Sequence, residues 1–196
     1  MALKSLAAFI AVGSATPSAA QTVMEMFLEI PAPLLGVLEN PDEPTEKTSD
    51  QKKKALSVTD LKNGYLATKS DVHIAKFNRR NGTPLLAVAG SSYADSGRGG
   101  QKLQFFAKNK SNAWEDLTAQ IFPGIPDIVS DAIDAEKCRP KSRLSDSASG
   151  TYRYMLPRKG KSILAVTETD RQPTCNKTLF TLDWDGERLV MKINDK

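Results

Sequence analysis

Thr178-Leu179-Phe180-Thr181-Leu182-Asp183-Trp184-Asp185-Gly186-Glu187-Arg188-Leu189-Val190-Met191-Lys192-Ile193 is the stretch that decides the fold. Apolar side chains recur at every second position on both sides of Asp185-Gly186. That is the pattern of two half-buried strands joined by a tight turn. With Asp185 and Gly186 as the turn residues, Trp184 opposes Glu187, Asp183 opposes Arg188, Leu182 opposes Leu189 and Phe180 opposes Met191. Phe180, Leu182, Leu189 and Met191 then share the core face. Asp183 and Arg188 meet on the solvent face as an ion pair worth tenths of a kcal/mol.

The same grammar repeats upstream. Thr151 to Leu156 and Lys161 to Glu168 flank Pro157-Arg158-Lys159-Gly160 and read as strand, turn, strand. Val72 to Asn78 and Leu85 to Ala89 flank an Asn81-Gly82 turn. On the first of these, Val72, Ile74 and Lys76 face one way and His73, Ala75 and Phe77 the other. Gln101 to Ala107 is a further strand, and Trp114 to Thr118 suits a sheet edge. Thr59 to Gly64 reads as a tight or single helical turn. Asp127 is placed to cap a short helix over 127–137, with Ile128, Val129, Ala132 and Ile133 near helical spacing. No strand–helix–strand spacing recurs, which excludes a doubly wound parallel sheet. The expectation for 56–196 is a single mainly β domain (β-rich α+β). Its antiparallel sheet is built from hairpins, sandwich-like or as a partly closed barrel, with that one short helix.

The N-terminal third divides differently. Residues 1–20 carry Lys4, then an apolar run from Leu6 to Val12, then Ser18-Ala19-Ala20 before Gln21. This is the three-part form of a secretory signal peptide cut after Ala20. Seven apolar residues are too few for a bilayer span, which needs about 20, and nothing later reaches that length. Residues 21–38 form an apolar N-terminal segment, broken by Pro31 and Pro33, that reads as a short helix or strand docking on the body. Residues 39–55 read as an exposed charged linker, with acids first and Lys52-Lys53-Lys54 last. The expected location is therefore periplasmic or secreted. In that oxidising setting Cys138 and Cys175, the only two cysteines, are expected to form a disulfide bond.

Composition removes several chemistries. The 196 residues carry 27 basic and 23 acidic side chains, a net charge of +4, too small a surplus to argue for nucleic acid. A single histidine, His73, excludes a multi-histidine metal or redox centre. Two cysteines exclude zinc-finger and iron–sulfur patterns. No cofactor is expected and no metal ligand set is assigned. A serine-hydrolase elbow, Gly-x-Ser-x-Gly, is absent. The carboxylates Glu168 and Asp170 are the nearest approach to a paired-acid site.

The most distinctive loop is Ser91 to Gly100, where glycines free the backbone and Tyr93, Asp95, Ser96 and Arg98 are candidate binding residues. The sequence thus reads as an exported, non-catalytic binding or accessory module acting on an envelope protein or anionic polymer. One alternative is an envelope hydrolase using His73 or the Glu168 and Asp170 carboxylates. Another is a structural component of an envelope assembly, docked through Met24 to Leu38.

Overall fold

Leu85-Leu86-Ala87-Val88-Ala89 is apolar at every position, so a strand built from it must be covered on both faces. In the computed structural model, which describes residues 21–35, 48–91, 101–122, 152–167 and 178–193, this is what happens. All five side chains are fully buried. They belong to β4 (Pro84–Ser91), in a six-stranded antiparallel meander with β1 (Leu56–Asp60), β2 (Tyr65–Thr68), β3 (His73–Asn78), β5 (Gln101–Lys108) and β6 (Trp114–Asp116). The strands lie side by side in chain order. A second antiparallel sheet runs β10 (Leu189–Ile193), β9 (Thr178–Trp184), β8 (Ser162–Thr167), β7 (Tyr152–Met155). The fold is therefore mainly β, with two hairpin-built sheets rather than a closed barrel.

One core lies between the sheets. Ala75, Phe77, Leu85, Ala87 and Phe105 from the first meet Tyr154, Ile163, Ala165, Phe180, Leu182 and Trp184 of the second. A second core lies on the far face of the six-stranded sheet. There α1 (Val23–Glu29) and a 3-10 turn (Ala32–Leu35) cover Leu66, Val72, Ile74, Leu86, Val88 and Phe106. The helix starts where Thr22 and Glu25 form a capping box: the Glu25 amide donates to Thr22 Oγ1 and the Thr22 amide to Glu25 Oε2. Val23, Met26, Phe27 and Ile30 follow the i, i+3, i+4, i+7 spacing of one apolar face, and all four are buried. Pro31 forbids continuation. Over its described residues the apolar arm packs on the sheet, burying Val23, Met26, Phe27, Ile30 and Leu35.

The segment expected as an exposed linker needs correction. Part of it, Ser49–Lys54, is helix α2, opened by a Thr48–Gln51 capping box. Lys52 is only 6% exposed. Its ammonium donates to the carbonyls of Phe27 (3.3 Å), Leu28 (3.1 Å) and Ile30 (2.6 Å) at the C-terminal end of α1. Those carbonyls have no partners within a helix that stops there, and they carry the negative end of its dipole. Two further ties hold the arm. Lys76 Nζ donates to Gln21 O at 2.5 Å, and Lys108 pairs with Glu29. That contact with Lys108, seconded by Gln21, holds the Glu29 carboxyl below its ordinary range despite some burial.

The decisive hairpin folds as expected in kind but not in register. Leu189 faces Trp184, Met191 faces Leu182 and Ile193 faces Phe180, so each partner lies two residues further on. Four residues, Asp185 to Arg188, connect the paired strands. The Asp185 carboxylate accepts from the amides of Glu187 (2.8 Å) and Arg188 (2.9 Å). From across the sandwich, the Arg80 amide takes Gly186 O at 2.9 Å. Gly186 has φ +105°, and a Cβ there would sit 2.8 Å from Arg80 Cγ. A shift of two residues preserves the faces, which is why the core residues were still assigned correctly. Asp183 pairs with Lys192 at 2.6 Å instead of Arg188.

The expected disulfide is also corrected. Among the described residues there is no disulfide, and Cys138 and Cys175 both lie outside them. Among the described residues the sheets are joined by the shared core, the Arg80–Gly186 contact, a hydrogen bond from Trp184 Nε1 to Asn78 O at 2.9 Å and the stacking of Arg158 on Tyr65. The helix expected near 127–137 also lies outside the described residues, while a four-residue helix, α3 (Thr118–Ile121), follows β6. Among the described residues no helix is long and apolar enough to cross a membrane.

Replacing Lys52 by Met keeps the stem and removes the charge. It leaves buried carbonyls without that donor, so the Lys52→Met chain is expected to lose about 2–4 kcal/mol of stability in urea unfolding.

Candidate functional site

His73 opens β3, and the register decides what it can reach. In the β2–β3 pair Tyr65 faces Ala75 and Ala67 faces His73. Tyr65 and His73 thus share one face as diagonal neighbours, within reach of long side chains. Tyr65 Oη lies 2.5 Å from His73 Nδ1, and His73 Nε2 lies 2.8 Å from Asp71 Oδ1. The tautomer with its proton on Nε2 meets both bonds: the phenol donates to Nδ1 and the ring donates to the carboxylate. Asp71 has φ 57°, in the left-handed region, at the tight turn between the two strands.

The surroundings of the phenol are closed. Tyr65 is 4% exposed, and the Arg158 guanidinium sits 5.3 Å from its ring centroid. Arg158 comes from the turn between β7 and β8, so this stack bridges the sheets. At the end of β1, Asp60 accepts from Asn63 Nδ2 at 2.8 Å and from the Asn63 amide at 3.2 Å. The side-chain bond from Asn63 is the main reason its carboxyl stays below the usual range, and Arg158 and Lys159 add attraction.

Chemically this is a carboxylate–imidazole–hydroxyl chain. A nucleophilic triad needs its imidazole aimed at an accessible hydroxyl or thiol. Here Nδ1 is turned to a phenol whose ring is core, and Nε2 to the carboxylate. The arrangement fixes the β2–β3 turn and locks Tyr65 in place. Among the described residues no cluster of histidine, cysteine, aspartate and glutamate is arranged to hold a metal ion.

Tyr93, Asp95, Ser96 and Arg98 lie outside the described residues, as do Glu168 and Asp170. The stems of the 92–100 connection are described: β4 ends at Ser91 and β5 begins at Gln101. Because His73 pairs with Ala89 on β4, both stems lie at the same end of the sheet as the histidine. Sequence reading missed Tyr65 and Arg158. Both join the site only through register and sheet-on-sheet packing, which no local pattern reports.

The four-stranded sheet is the more open surface. Met155, Val190 and Ile193 are exposed large apolar side chains on it. Beside Val190, Asp183 accepts from Ser162 Oγ at 2.6 Å and from Lys192 Nζ. Lys192 first, then Ser162, lowers the Asp183 carboxyl below its ordinary range.

Comparisons with protein-family models, with curated proteins and with solved structures find no match for this chain.

Tyr65 and His73 are expected to be coupled structurally. Tyr65→Phe should cost about 1–2 kcal/mol in thermal or urea unfolding, because His73 Nδ1 loses its donor. A double-mutant cycle with His73→Phe should return a coupling of about 1 kcal/mol.

Proposed function

We propose that the chain is an exported, non-catalytic binding or accessory module acting on an envelope protein or anionic envelope polymer. The observation that carries this reading is the internal engagement of its one histidine. His73 Nδ1 faces buried Tyr65 and Nε2 faces Asp71, so the imidazole is held in a structural network rather than aimed at a substrate. The engagement of His73 weighs against a hydrolase built on that imidazole; the Glu168 and Asp170 carboxylates of the same alternative lie outside the described residues. Export rests on the signal-like residues 1–20. On the outer face of the four-stranded sheet, Met155 and Val190 are exposed apolar side chains on its two edge strands, which suits contact with a partner better than the lining of a concave cleft.

The test uses the chain, purified as its producing cell processes it, as bait in an envelope extract. A discrete component should be retained saturably, equally well by the wild type and by His73→Gln, and released intact. Turnover of that component, falling 100-fold or more in His73→Gln, would instead make the protein the hydrolase.

A further inference from the structure

The four-stranded sheet ends in an edge that is unlike the other three. β1 breaks register between Leu56 and Val58, which twists that edge away from easy pairing. β6 is three residues long and carries Glu115 and Asp116. β7 is four residues and carries Arg153. β10 is five residues, Leu189-Val190-Met191-Lys192-Ile193, with no proline, no glycine and an unbroken register against β9. Among the described residues β9 is its one neighbour.

Which backbone groups β10 turns outward follows from two hydrogen bonds. The Asp185 amide donates to Arg188 O at 3.2 Å, so that pair is of the hydrogen-bonded kind. The Trp184 amide donates to Lys161 O at 3.0 Å, away from β10. Antiparallel pairs alternate. Val190 and Lys192 therefore bond to β9, while Leu189, Met191 and Ile193 aim their amides and carbonyls away from it. Lysine on an edge commonly blocks pairing. This one is paired with Asp183 at 2.6 Å, so its charge is partly neutralised within its own subunit.

We infer that β10 is a pairing edge for a second copy of this chain, two β10 strands running antiparallel about a two-fold axis at Met191. The strand is complementary to itself in that register. Met191 meets Met191 of the partner subunit, and Leu189 meets Ile193 of the partner subunit, through the outward backbone groups. Val190 falls opposite Lys192 of the partner subunit in the close, non-hydrogen-bonded position, so no like charges face each other. The two four-stranded sheets join into one of eight strands. The contact is self-complementary, as a closed two-fold dimer requires, and its small extent makes the association weak. It does not depend on the envelope partner proposed above.

Sedimentation equilibrium over a concentration series tests this, with circular dichroism to check that each variant keeps its β content. The wild type should show a reversible monomer–dimer equilibrium. Val190→Lys sets two lysines against each other twice across the axis and should weaken the dimer about three- to tenfold. Val190→Glu sets a carboxylate against Lys192 of the partner subunit and should leave the dimer as strong or stronger. A wild-type chain that stays monomeric throughout would overturn the inference. Equal weakening by both charges would overturn it too, because that is the behaviour of a generic apolar contact.

Discussion

The ammonium of Lys52, set against the last carbonyls of α1, is the constraint on which the outer layer of this protein depends. A buried cation is costly unless it is surrounded by acceptors. A short helix is marginal unless its ends are satisfied. Each problem answers the other here. Burying a large apolar side chain contributes about 1.5–3 kcal/mol, and ordering one residue costs about 1–2 kcal/mol of backbone entropy. For an arm as short as residues 21–35 these terms are of similar size. The polar ties from Lys52, Lys76 and Lys108 then set the margin by which the arm stays down.

That arm changes what the six-stranded sheet can do. With α1 on one face and the second sheet on the other, β2, β3 and β4 are buried on both sides, and their side chains are committed to packing. Even the histidine, the residue most suited to chemistry, is drawn into fixing a turn. What stays available is the rim and the four-stranded sheet, where Met155, Val190 and Ile193 remain exposed. Among the described residues, burial thus leaves few apolar side chains of the six-stranded sheet open to solvent.

Much of the β scaffold was legible because its signals are local. Alternation and turn chemistry around Asn81-Gly82, Pro157 to Gly160 and Asp185-Gly186 placed the strands of three hairpins. The exact turn at Asp185 was not legible, because the Asp185 carboxylate and Arg80 from another hairpin decide where the chain reverses. Lys52 was read as a solvated charge, since three consecutive lysines after an acidic run carry no mark of burial. Only the end of α1, more than twenty residues earlier in the chain, gives it a reason to be inside. The candidate site was half legible. His73 stood out by being unique, while Tyr65 and Arg158 join it through cross-strand register and the contact between sheets.

Hydrogen exchange at the amides of Met26 and Ile30, whose acceptors lie within the arm, examines this picture most directly. If residues 21–35 are an integral layer, those two amides should exchange only through the same global opening that exposes β4. Exchange near the rate of an unstructured peptide at Met26 and Ile30, while the amides of β4 stay protected, would mean that the arm is not held and that the account built on Lys52 is wrong.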